Sequence, residues 1–111
     1  MKSIFLALAC IVPFATQALE VEKQFENQQI CVLKILMNAG EELGFHRDER
    51  SRVVIGLQGG TITRIEQNGT CNEIVFPTGK AVFLEPDPVG EQHRAINKTD
   101  KPIEVMVVQF K

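Results

Sequence analysis

The chain has 111 residues, a formal net charge of −2 and 44% hydrophobic residues, enough for one domain and one core. With 12 basic against 14 acidic residues it advertises no basic face, which excludes nucleic acid as an expected partner. Tryptophan and tyrosine are absent, so phenylalanine and the β-branched residues must fill the interior.

The first stretch, MKSIFLALACIVPFATQALE, differs from the rest. Lys2 opens it, Ile4 to Ala15 is an apolar run too short to span a bilayer comfortably, and Thr16-Gln17-Ala18 sets small residues three and one positions before a cut. This predicts a signal peptide over residues 1–18, cleavage after Ala18, a domain over 19–111 and a periplasmic or secreted location, with no membrane contact after cleavage. Leu6-Ala7-Leu8-Ala9-Cys10 loosely resembles a lipoprotein cleavage box, but Ala7 stands where leucine is usual. Cleavage after Ala18 would remove Cys10 and leave Cys31 and Cys71. An even pair in an exported domain of this size is expected to form a disulfide, which would stabilise it by about 3–4 kcal/mol through a loop of some forty residues.

Short runs rich in β-branched residues then follow one another, separated by turn residues. Gln29 to Met37 is a strand ended by Asn38-Ala39-Gly40, and Arg52 to Gln58 is another, ended by Gly59-Gly60, where a sharp reversal has no Cβ to accommodate. TITRIE and TCNEIVF flank Gln67-Asn68-Gly69, and Asn-Gly between alternating runs predicts a hairpin with positive φ available at both positions. AVFLE leads into Pro86-Asp87-Pro88, HRAIN follows, and IEVMVVQF closes the chain. No window has helical periodicity. The expected class is all-β, a sandwich or barrel. Asn68-Gly69-Thr70 and Asn97-Lys98-Thr99 fit the glycosylation rule but carry no weight in a bacterial-style exported chain.

Two segments carry a resemblance. Gly40 is followed after five residues by His46, then by Asp48, Arg52 and Gly59; PVGEQHRAIN supplies Pro88, Gly90, His93 and Asn97. These intervals resemble the two motifs of the cupin superfamily, over roughly Gln29 to Phe110, and imply a small single-domain cupin: a jelly-roll or double-stranded β-helix barrel. Gly79 stands three residues too far upstream for the second motif's opening glycine, so Glu85-Pro86-Asp87 reads as an insertion.

The resemblance implies a metal site of three histidines and a glutamate. His46 and His93 match two of those positions, Asp48 takes a histidine's place and Arg52 the glutamate's. Asp48 is a fair oxygen ligand, whereas a guanidinium has no lone pair to give. At about 5 Å and an effective dielectric near 20, Arg52 would oppose a divalent ion by roughly 6–7 kcal/mol. If residues 46–58 are extended, His46, Asp48, Arg50 and Arg52 share a face, and Asp48 and Arg52 are each other's obvious partner. The sequence therefore leans to a vacated site with no cofactor, in a pocket of His46, Asp48, Arg52 and His93 that binds a small molecule, anionic ones included. Arg50 and Arg94 would attract such a ligand if they reach the mouth.

The alternative is an enzyme, a non-haem Fe- or Mn-type oxygenase or an isomerase, holding Fe, Mn, Ni or Zn with His46, Asp48 and His93. A 2-oxoglutarate-dependent reaction is disfavoured, because Ile103 stands where such enzymes place a basic residue and an exported enzyme lacks the cytosolic co-substrate. Finally, Val53, Val54, Ile55 and Leu57 are apolar without alternation, as are Val105 to Val108. Both faces of those strands must then be covered, the outer one by a second subunit or by residues 19–28, and a homodimer is expected.

Overall fold

The computed structural model describes residues 19–111, so the expected signal peptide, its cleavage site and Cys10 lie outside the described residues. The described residues form nine strands and no helix: β1 (Glu20–Glu26), β2 (Ile30–Met37), β3 (Glu42–His46), β4 (Arg52–Gln58), β5 (Gly60–Glu66), β6 (Cys71–Phe76), β7 (Ala81–Leu84), β8 (His93–Ile96) and β9 (Ile103–Phe110). They build two antiparallel sheets, ordered β1-β2-β9-β4-β7 and β3-β8-β5-β6, packed as a jelly roll.

Side chains alternate across each strand, so one register row fills the interior and the next faces out. Leu33, Val107, Val54 and Val82 are successive partners across four strands of the larger sheet, and they point inward with Met37 and Ile103. Ile62 and Phe76 meet them from the smaller sheet. The expected strands match β2 and β4 to β9. Two strands lacked a signal. β1 is a charged edge strand, EVEKQFE, held by its ladder to β2 more than by buried side chains, and β3 is five residues with a glycine in the middle.

Three local expectations change. In the β5–β6 turn only Gly69 has positive φ; its N–H donates to Glu66 O at 2.9 Å and Asn68 Oδ1 accepts from Thr70 N, so the reversal is a longer turn closed by one left-handed glycine. Gly59 and Gly60 have ordinary φ. A Cβ on Gly59 would lie 2.0 Å from Phe76 O, so glycine is required there by the close approach of the β6 backbone. β1 lies beside β2 at the sheet edge, hence residues 19–28 do not cover the outer face.

The disulfide expectation is corrected. Cys31 is fully buried on β2 of the larger sheet, Cys71 is exposed on β6 at the edge of the smaller one, and no bond joins them. Two sequence-distant cysteines can be bridged only where the fold brings their Cβ atoms together, and here they belong to different sheets.

Candidate metal centre and chamber

β3 ends at His46, residues 47–51 form a loop, and β4 begins at Arg52. The segment is thus not one continuous strand, and the alternation expected across it fails at Arg50, which does not line the chamber. His46 and His93 are direct partners in the β3–β8 ladder, and both are buried. Their rings lie 4.4 Å apart between centroids. The loop folds back so that Asp48 Oδ2 sits 3.4 Å from His46 Nε2, 3.3 Å from His93 Nε2 and 3.0 Å from Arg52 Nη2. Of the four residues singled out from the sequence, three therefore converge on a single carboxylate oxygen of the fourth.

The far nitrogens of the two imidazoles are held differently. His46 Nδ1 is 2.8 Å from the Gly44 carbonyl, which accepts its N–H hydrogen bond, so Nε2 is turned toward Asp48 and donates to it when the ring is protonated. His93 Nδ1 lies 3.1 Å from Asp87 Oδ2, although the line is off the axis of a ring N–H hydrogen bond. Asp87 is itself 6% exposed and tightly held. Its Oδ2 accepts the Asp48 N–H at 2.8 Å, its Oδ1 accepts from Arg64 Nη2 at 3.1 Å, and its N–H donates to the Asp48 carbonyl at 2.8 Å. Arg47 reaches the carbonyls of Asp87 and Pro88 at 3.2 and 3.1 Å. The Glu85-Pro86-Asp87 segment, read from sequence as an insertion, thus anchors the site. Asp87 was missed; its one signal was a lone acid fixed between two prolines.

Burial works against the charge of Asp48, yet hydrogen bonds from His46 and His93 and the charge of Arg52 outweigh it and hold the carboxyl far below its usual range. Burial likewise disfavours protonated His46, but the bond to Asp48 wins and raises its pKa above 6.5. Asn97 completes the second motif in a structural role. It is wholly buried, donates to the carbonyls of Met37 and Lys101 and accepts from Thr99, which leaves it unavailable to a glycan. Arg94 is drawn to Glu42 at 2.8 Å and does not line the chamber.

This cluster lines one end of a cavity of about 150 Å³ between the sheets. Along β9 the inward residues run Ile103, Val105, Val107, Gln109. Ile103 pairs with Met37 at one end, and Gln109 pairs with Cys31 and Arg52 at the other. The chamber is therefore apolar for most of its length and polar where Arg52, Asp48, His46, His93, Arg64 and Gln109 gather. Gln109 is 9% exposed and its Oε1 has no hydrogen-bond partner, an unmet acceptor in the wall that sequence reading did not single out.

The donor set fits a divalent transition ion. Bonds of about 2.0–2.2 Å at tetrahedral angles set ligand atoms about 3.3–3.6 Å apart, and both imidazole-to-carboxylate distances, 3.4 and 3.3 Å, fall in or at the edge of that range. Among the described residues His46, Asp48 and His93 are the cluster with ligand atoms close enough to share an ion, all within 4.8 Å of one another.

No protein-family model matches the chain, and no curated protein sequence matches it. Solved structures do. A cupin domain from Bordetella pertussis Tohama I superposes with a TM-score of 0.75 at 19% identity over 89% of this chain and 99% of that one. An RmlC-like cupin protein from Desulfovibrio desulfuricans gives 0.59 at 21% over 91% and 90%. The polyketide cyclase RemF from Streptomyces resistomycificus gives 0.60 at 16% over 83% of this chain and 64% of its own. The chain thus has the fold of a small cupin domain. At these identities the likeness speaks to the fold and leaves the chemistry to the site.

Proposed function

We propose that the domain is a metal-dependent cupin that takes a small molecule with an apolar body and a polar head into its chamber. The observation that carries the reading is the convergence of His46 Nε2, His93 Nε2 and Asp48 Oδ2 at ligand-edge spacing, with His46 oriented from its far side by the Gly44 carbonyl. When bound, the ion would be held by His46, His93 and Asp48 and would supply a Lewis acid. The chain's own residues do the rest. Asp87 fixes the loop that carries Asp48, the apolar walls exclude water, and Arg52 with the unmet Gln109 acceptor offers one cationic and one accepting group to the head of a guest. A cavity of about 150 Å³ limits the body to roughly the size of a benzene ring.

The sequence weighed against a metal because Arg52 replaces a glutamate. What tempers that weight is that Arg52 Nη2 is engaged by Asp48, while Nη1 faces the carbonyls of Arg50 and Glu85 at 3.5 and 3.4 Å, which spreads its charge over three acceptors. The same ion pair favours a second reading, a metal-free pocket in which Arg52 binds a small carboxylate.

Calorimetric titration of the purified, chelator-stripped protein with Fe(II), Mn(II), Ni(II) and Zn(II) separates the two. One ion per chain, lost in His46→Ala and His93→Ala, is expected. Absence of stoichiometric binding by all four ions, with benzoate binding to the metal-free protein and losing affinity in Arg52→Gln, would establish the second reading instead. We further propose that the protein works outside the cytoplasm; N-terminal sequencing of the chain from its native host should begin at Leu19.

A further inference from the structure

The outward face of the larger sheet is apolar where solvent would call for alternation. Register partners place Phe25, Val32, Val108, Val53 and Phe83 in one row across all five strands. None lines the chamber, and Phe25 and Phe83 at the two ends are 51% and 55% exposed. Phe110 and Ile30 flank the row on one side, Met106 and Ile55 on the other, and Glu22, Lys34 and Glu104 bound the patch with charge. A contiguous apolar patch with a charged border marks a contact surface.

We infer that this face is occupied by a second copy of the chain, packed sheet against sheet about a two-fold axis through Val108. The row reads aromatic, valine, valine, valine, aromatic, and is the same in both directions. Aligned packing of two sheets needs an in-plane two-fold axis either along β9 or across it, and this row meets both cases. With the axis along β9, Phe25 of one copy meets Phe83 of the other and Val32 meets Val53. With the axis across it, each residue meets its own copy. Aromatic faces aromatic and valine faces valine in either arrangement. The size is adequate as well. Five strands at about 4.8 Å and six residues at about 3.3 Å give on the order of 500 Å² of sheet per copy, about 1,000 Å² for the pair, the lower bound for a specific interface. The dimer is therefore one that dissociates on dilution. The surface is remote from the chamber, so the inference does not depend on the metal reading.

The test is the mass of the full chain by light scattering and sedimentation across the micromolar range. A species of twice the 12.4 kDa chain mass at the upper concentrations, reduced to monomer in Val53→Lys/Val108→Lys, is expected. In a Cys10→Ser/Cys71→Ser background, Val108→Cys should cross-link to a disulfide dimer under mild oxidation, whereas Val75→Cys, exposed on the other sheet, should not. The cross-link decides the matter even if the double lysine variant fails to fold. A monomer throughout, whether the face is covered by residues 1–18 or by another protein, overturns the inference. So does a dimer that cross-links through Val75→Cys and not through Val108→Cys.

Discussion

Asp48 and Asp87 hold one another by reciprocal hydrogen bonds: each donates its backbone N–H at 2.8 Å, Asp48 to the Asp87 carboxylate and Asp87 to the Asp48 carbonyl. The loop after β3 and the loop before β8 are thereby tied at the point where the site's carboxylate is presented, and Asp87 also touches the imidazole that β8 supplies.

Replacing Asp87 by alanine frees both loops, strips the Asp48 N–H of its acceptor and leaves Arg64 with Glu66 alone, 2.6 Å away. We expect a loss of about 2–3 kcal/mol in denaturant unfolding, below the figure for a fully buried pair because Arg64 keeps that second acid. Metal affinity should fall roughly 10–100-fold with stoichiometry unchanged, as for removal of a ligand's outer partner. Asp87→Asn, which retains an acceptor for the Asp48 N–H, should recover most of the stability and part of the affinity.

Arg52→Gln removes a cation bound to the same oxygen an ion would use. With opposition on the order of several kcal/mol relieved, metal should bind at least about tenfold more tightly by calorimetry. Unchanged or weaker binding would mean that Arg52 holds Asp48 in place more than it repels the ion.

The pH dependence has a definite sign. His46 has its pKa raised above 6.5, so the stability it gains from Asp48 is complete below 6.5 and is lost as pH climbs through the raised value. Asp48 is lowered from 3.8, so its contribution is complete above 3.8 and is lost only as pH falls through the depressed value. Metal-free protein should thus melt highest in mildly acidic buffer and lower above neutrality, and His46→Gln should flatten the alkaline fall. Metal binding must displace the proton on His46 Nε2, so affinity should rise with pH over the same interval. A thermal midpoint that increases from pH 6 to 9 without metal would contradict the pairing.

Cys71 is an exposed thiol, so a thiol reagent should modify it in the folded protein without prior reduction. Cys71→Ser should shift stability by no more than about 0.5 kcal/mol, as for an ordinary surface substitution, where loss of a disulfide would cost several-fold more.

What was legible in the sequence was what β-branched runs, turn residues and motif spacing encode. Arg52–Gln58 reads directly as β4, because its β-branched run is stopped by Gly59-Gly60, and the intervals linking Gly40 to His46 and Pro88 to His93 point to the barrel interior. β1 escaped because an edge strand draws its stability from the ladder and shows its charges to water. Asp87 and Gln109 escaped for a different reason. Each acts through partners far away in sequence: Asp48 for the first, the β2 and β4 neighbours for the second. The cysteines misled because an even count constrains pairing only when the topology brings the two sites together, and compartment alone cannot say so.

The two-ended chamber gives any guest a direction. Arg52 and Gln109 lie some six residues along the barrel from Met37 and Ile103, about 20 Å at strand spacing, so a headgroup has one end at which its hydrogen bonds can be met. Selection among related compounds would then rest on the size of the apolar body: each methylene accommodated adds about 0.8 kcal/mol, nearly fourfold in affinity, until the cavity of about 150 Å³ is filled and the next one is refused.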